Sequence, residues 1–205
     1  MDNFLSNNEV KLEGYVDSTI SFSHEIYGET FYKFDLKVPR LSDSFDCIVI
    51  TLSERIISDF PICIDKKVQV EGQFRSYNNY SNEGSKLVLT VFAKQIYNMT
   101  EDFPSPNSIY LNGFICKPPV YRTTPFGREI ADILLAVNRQ YGKSDYIPCI
   151  TWGRNAKFTS TLEVGTNIKI WGRIQSREYK KKIGEDEYED KVAYEVSVSK
   201  LEVVK

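Results

Sequence analysis

Over residues 108–203 the apolar positions fall in short alternating runs, rich in Val, Ile and Tyr and separated by Gly, Pro, Asn and Asp. Period-two alternation marks a β-strand with one buried face, and that punctuation marks turns. The pattern predicts five strands, roughly 108–116, 129–138, 145–152, 166–178 and 191–203, with a short helix around Asn155 to Leu162. The third strand, "YIPCITWGRN" (146–155), sends Tyr146, Pro148, Ile150 and Trp152 to one face and Ile147, Cys149 and Thr151 to the other. Tyr146 and Trp152 are then either core residues or a platform for something flat. Residues 1–99 give a similar strand count, with a helix near 53–59.

The two halves repeat each other. "NEVKLEGYV" (8–16) lies over "NSIYLNGFI" (107–115), and "YGETFYKFDLKVPR" (27–40) over "FGREIADILLAVNR" (126–139), both at an offset of 99. "IVIT" (48–51) lies over "PCIT" (148–151) and "KVQVEGQFRS" (67–76) over "NIKIWGRIQS" (167–176), at an offset of 100. Four blocks in one order at a near-constant offset indicate a duplicated unit. The expected domains are 1–99 and 107–205, joined near "NMTEDFPSPN" (98–107), where prolines and polar residues break the pattern. Five strands with a helix between the third and fourth is the plan of the OB-fold. The expected fold is therefore all-β: two tandem OB-folds, five-stranded Greek-key barrels with one short helix each. Gly113 and Gly172 suit barrel bends.

Charge divides these units. Residues 1–99 carry 10 Lys or Arg against 14 Asp or Glu, whereas residues 110–182 carry 13 against 5. A basic block inside a chain of net charge −2 points to a polyanion partner. Along the fourth strand of the second unit Arg173, Gln175, Arg177 and Tyr179 share one face, which suits a phosphate track beside stacked bases. Lys180, Lys181 and Lys182 extend into a hairpin arm, where they serve phosphates or mere solubility, and Arg128 and Lys143 sit on other candidate loops. Trp171 falls with Arg173 by strict alternation, unless a bulge at Gly172 turns it inward.

Other chemistry finds little support. Cys47, Cys63, Cys116 and Cys149 are scattered and the one histidine is His24, so no metal or other cofactor is expected. There is no phosphate-cradling glycine loop and no G-x-S-x-G motif, which argues against an enzyme and a small-molecule substrate. No apolar run reaches the length of about 18 residues expected of a membrane helix. The expected location is cytoplasmic and nucleoid-associated.

Three stretches of the second unit, "YLNGFICKPPVYRTTPFGREIADILLAVNR", "DYIPCITWGRNAKF" and "VGTNIKIWGRIQSREY", resemble bacterial single-stranded-DNA-binding proteins in order and spacing. The resemblance implies sequence-tolerant binding of single-stranded DNA in replication, recombination or repair, with bases stacked on Tyr141, Tyr146, Trp152 and Tyr179. Family members surround the strand with four OB-folds, which for two units per chain implies a homodimer. The first unit departs from this pattern. The repeat puts Leu52 at the place of Trp152, its hairpin "RSYNNYSNEGS" (75–85) has no lysine run, and its charge is negative. It is expected to dimerise, to dock a partner, or to touch the strand weakly through Tyr32, Tyr77 and Tyr80. The chain ends at "VSKLEVVK" without the family's acidic tail, which makes an accessory, plasmid, phage or primosome-type role the expectation. The competing reading is an OB-fold adaptor between proteins with weak DNA contact.

Overall fold

The computed structural model describes residues 7–81, 84–99, 106–182, 184 and 187–204. The first half forms β1 (Asn8–Val16), β2 (Ser21–Ile26), β3 (Glu29–Pro39), β4 (Phe45–Ser53), α1 (Glu54–Asp59), β5 (Lys67–Ser81) and β6 (Gly84–Asn98). The second forms β7 (Asn107–Ile115), β8 (Val120–Thr123), β9 (Glu129–Asn138), β10 (Ser144–Trp152), α2 (Arg154–Thr159), β11 (Asn167–Lys182) and β12 (Tyr188–Val203). All twelve strands belong to one sheet, ordered β2-β3-β4-β6-β5-β1-β7-β11-β12-β10-β9-β8. The additional pairings β1–β3 and β7–β9 close each half into a five-stranded barrel. In both, the third and fifth barrel strands run parallel, β4 with β6 and β10 with β12. These are the two OB-folds that the alternation predicts.

Two elements escape the alternation rule. β8 is a four-residue edge strand on β9 whose residues are all exposed, so it buries no face that could leave a periodic signal. The last two strands stay paired past the barrel, β11 as far as Lys182 and β12 from Tyr188, as a largely charged arm that also exposes Tyr179, Tyr188 and Val192. Inside the barrels the prediction holds, with Ile147 and Cys149 on the core face of β10 and Ile168, Ile170 and Ile174 on that of β11.

The register corrects the repeat at one point. Phe31 faces Ser53 across β3–β4, and Ile130 faces Trp152 across β9–β10, so the offset stays at 99 to the end of this strand. Ser53, not Leu52, therefore stands where Trp152 stands, and Leu52 is fully buried. The extra residue of the second half is Gly153, which caps α2 with φ +54°, a backbone region that a side chain disfavours. Ser53 itself caps α1.

The irregularity beside Gly172 is also present, but its extra residue is Ser199 on β12: Trp171 pairs with Lys200 and Gly172 with Val198. Alternation along β11 is untouched, and Trp171 stays on the outer face, against Tyr110 at 5.3 Å and under Lys200 Nζ at 4.5 Å. A Cβ on Gly172 would lie 2.2 Å from the carbonyl oxygen of Ser197, which is why only glycine fits this bend.

The barrels meet through antiparallel pairing of β1 with β7, in which Val10 faces Ile109. Those two residues are equivalent in the repeat, so a pseudo-two-fold axis passes between them. Two reciprocal clamps obey the same symmetry. The buried Asp46 accepts hydrogen bonds from Arg40 Nη2 (2.6 Å) and, across the seam, from the backbone N–H of Ser176 (2.7 Å), while Arg40 Nη2 also donates to the Ser176 carbonyl (2.8 Å). The buried Asp145 accepts from Arg139 Nε (2.6 Å) and from the backbone N–H of Ser76 (2.5 Å), while Arg139 Nη2 donates to the Ser76 carbonyl (2.7 Å). Each Ser hydroxyl in turn accepts an N–H from the residue after the opposing aspartate, Cys47 or Tyr146.

Candidate nucleic-acid interface

β10 carries the centre of the candidate interface. Its outward positions leave Tyr146 exposed and Trp152 half-buried, outside the core cluster that takes in Ile147 and Cys149. The indole Nε1–H donates to Ser197 Oγ at 3.2 Å, and Ser197 pairs with Arg173 on β11. Ile130, Trp152, Ser197 and Arg173 thus form one row across four adjacent strands, with the indole between Ile130 and Ser197 and the guanidinium at the far end. The hydrogen bond fixes the ring edge, so stacking on its face would cost little further ordering.

The flanking loops add to this row. The turn after β8 places Gly127 at φ +74° and leaves Arg128 exposed. The Glu129 carbonyl accepts from the Gly153 N–H at 2.9 Å, which holds this turn beside the end of Trp152. The sequence reading missed two residues here. Phe126 is 91% exposed at the turn, and Arg154, exposed at the start of α2, follows Trp152 by two positions in the "TWGRN" already in view. Lys143 is exposed at the hairpin between β9 and β10, just past a 3-10 turn over Gln140–Gly142. The side chain of Tyr141 in that turn, like those of Tyr80, Lys181 and Lys182, lies outside the described residues.

Arg177, Tyr179 and Lys180 run outward along β11, and all three are exposed. Lys180 pairs in register with Asp190 and Lys181 with Glu189, so the lysines of the arm face acidic positions. Lys180 lies seven residues along β11 from Arg173, where the row of Trp152 ends. Not all of the basic block is free. Arg139 serves the seam, Arg122 Nε donates to Asp132 at 2.6 Å, and Lys157 pairs with Glu129 at 3.0 Å. Tyr121 Oη also donates to Glu129 (2.6 Å), and together Tyr121 and Lys157 hold the Glu129 carboxyl below its usual range.

Glu195 interrupts the cationic face. It sits on β12 opposite Gln175, two residues before Ser197. Burial pushes its carboxyl up; Arg177 opposes that shift and Asp132 adds to it.

The equivalent surface of the first barrel lacks these groups. The register puts Cys47 at the place of Tyr146, Ser53 at that of Trp152 and Asn79 at that of Tyr179, and Ser42 matches Tyr141. Tyr77 is exposed there, while Tyr32 is half-buried against the edge of Phe22. Among the described residues no group of three or more His, Cys, Asp or Glu side chains could hold a metal ion. No described helix is long and apolar enough to cross a membrane.

The sequence pattern of the Single-strand binding protein family matches residues 106–204, the whole second barrel. Over 89 residues the chain is 33% identical to single-stranded DNA-binding protein B of Bacillus subtilis, covering 40% of the chain and 79% of that protein. It is 36% identical over 89 residues to a single-stranded DNA-binding protein of Clostridium tetani, covering 40% of the chain and 61% of that protein. The chain spans half to three-fifths of the length of several such relatives. Wild-type single-stranded DNA binding protein from Thermus aquaticus has the same fold over both barrels, with a TM-score of 0.73 at 19% identity, covering 97% of this chain and 93% of that one. The chain thus shares the sequence pattern of its second barrel with one set of these proteins and the fold of both barrels with another. It belongs to the single-strand binding protein family.

Proposed function

We propose that the chain binds single-stranded DNA, with little preference for sequence, along the outer face of its second barrel. The observation that carries this reading is the row of Trp152, Ser197 and Arg173 on the same outer face as the exposed Tyr146, on the barrel that the family pattern matches. Bases stack on Trp152, Tyr146, Tyr179 and Tyr141, and phosphates run past Arg173, Arg177, Arg128 and Lys143, with Lys180, Lys181 and Lys182 at the margin. The protein acts in replication, recombination or repair of DNA in the cytoplasm. The first barrel, without the aromatic set, is auxiliary.

Anisotropy of labelled oligo-dT tests this, with duplex of equal length as control. Binding to the single strand should fall with salt at a logarithmic slope of roughly −0.7 per phosphate neutralised. Equal affinity for duplex, or a slope near zero, would sink the proposal.

Glu195 gives a finer test. Its carboxylate lies in the path and repels phosphate, so affinity should rise as pH falls through the range in which Glu195 takes up its proton. Glu195→Gln should bind oligo-dT more tightly than the native chain at neutral pH and show less of that rise. An unchanged pH profile would place the DNA elsewhere.

We further propose that two chains associate, bringing four OB-folds together. The outer face of the β1–β7 seam supports this. Tyr15 and Phe114, equivalent in the repeat, are exposed at its two ends, with the Tyr110–Trp171 pair between them, and exposed aromatic surface of this kind suits self-association. Light scattering should return twice the chain mass of 23.7 kDa, and a Trp171→Glu variant should return the mass of one chain.

A further inference from the structure

The first barrel has a cleft of about 500 Å³ where the second carries its tryptophan row. Phe31 and Phe92 form its floor, with ring centroids 5.4 Å apart, and His24 stacks on Phe31 at 4.9 Å and 15°. The register explains why it is open. Phe31 stands for Ile130 and Phe92 for Ser197, while the small Ser53 stands for Trp152. Ring bulk has moved from the rim to the floor, and the space of the indole is left as cleft.

Its charge has reversed as well. Glu29 and Glu54 line the mouth, and their equivalents in the second barrel are Arg128 and Arg154. Glu25 stands across from Thr30 on the same hairpin. Arg55 is the one cation of the lining; it is largely exposed and only loosely paired with Glu29, at 3.7 Å. A phosphate entering here meets a net negative rim on a unit with four more acidic than basic residues. A guanidinium or ammonium group meets two carboxylates and ring faces that attract it.

We infer that this cleft docks a basic segment of a partner protein, with an aromatic or aliphatic side chain on Phe31 and Phe92 and a neighbouring Arg or Lys between Glu29 and Glu54. The duplicated surface would then hold DNA on one barrel and a protein on the other, without competition between them. The inference does not require the second barrel to bind DNA.

His24 is the single histidine of the chain, so its imidazole proton resonances report on this cleft alone. The probes are acetyl-Arg-Phe-Arg-Phe-Arg-amide, its counterpart with Glu for Arg, and oligo-dT. The basic peptide should shift the His24 resonances to saturation, and the acidic peptide should not. Reversal of both rim charges in a Glu29→Arg, Glu54→Arg variant should weaken the response about tenfold or more, since it removes two ion pairs and adds two repulsions. Trp152→Ala should leave it intact. Both glutamates lie at the surface, and Glu54→Lys alone, should the double variant not fold, should weaken binding in the same direction. An equal response to the acidic peptide, no saturating response to the basic one, or a response to oligo-dT in its place would overturn the inference. The last outcome would make the cleft a second nucleic-acid site.

Discussion

Asp145→Ala should lower the unfolding free energy by about 3–5 kcal/mol, the cost of breaking a buried ion pair from one side. Asp145 is 1% exposed and binds Arg139 through both carboxylate oxygens, with Arg75 Nη1 also 3.7 Å from its Oδ2. Without the carboxylate, two guanidiniums face each other and the Ser76 N–H loses its acceptor. Arg75 already feels this, since burial and Arg139 both pull its pKa down. The opposite clamp has Gln175 where this one has Arg75, so Asp46→Ala leaves one guanidinium unpaired and should cost less. Against a typical total of about 5–15 kcal/mol, either loss is large. Urea unfolding measures both. Arg122→Ala, which breaks the exposed pair with Asp132, is the control and should cost roughly 0–1 kcal/mol. If Asp145→Ala proved no worse than that control, the clamps would be ornaments of the seam rather than its fasteners.

Trp152→Ala should weaken binding to oligo-dT by about 1–3 kcal/mol, or roughly 5- to 150-fold, without loss of fold. The ring is half-buried, and its removal frees only Ser197 Oγ, so the barrel should survive it. Tyr146→Ala should act by a similar amount. Six residues of strand put roughly 20 Å between the two positions, and effects at that distance add. The double variant should therefore lose about 2–6 kcal/mol of affinity while its thermal transition stays near that of the native chain. The same change at Ser53 should do nothing to affinity, since that position offers no ring. A double variant that bound normally would move the DNA off this face.

Much of this was legible in the residues. Burying one face of a strand forces alternation, so the barrel strands of the second half could be read to within a few residues at most boundaries. The duplication was readable because equivalent barrels need glycine at equivalent bends, as Gly72 and Gly172 show. The one-residue slip was not. Ile50, Thr51 and Leu52 are all buried, so β-branched and aliphatic letters interchange along β4 and match equally well one position along. The true place of the insertion, Gly153, shows only in its left-handed backbone. The seam clamps were hidden for another reason. Asp46 and Ser176 lie 130 residues apart, and no local pattern announces such a pair, though the repeat did set Arg40 over Arg139. Charge counting overstated the basic face, because Arg139, Arg122 and Lys157 are engaged by carboxylates of the same barrel. That Tyr146 and Trp152 share a face could be read from their spacing; that this face is the outer one needed the hydrogen bond from Trp152 to Ser197 Oγ.

The most direct test of the account uses the chain's two tryptophans. Trp171 lies on the seam face, so Trp171→Phe leaves Trp152 as the sole indole, and its fluorescence then reports on the proposed stacking site alone. Titration of that variant with oligo-dT should quench the emission strongly, less at high salt, and duplex should not quench it. An emission that stays constant while anisotropy shows the strand bound would mean that DNA is held without touching Trp152, and the account of the interface would be wrong.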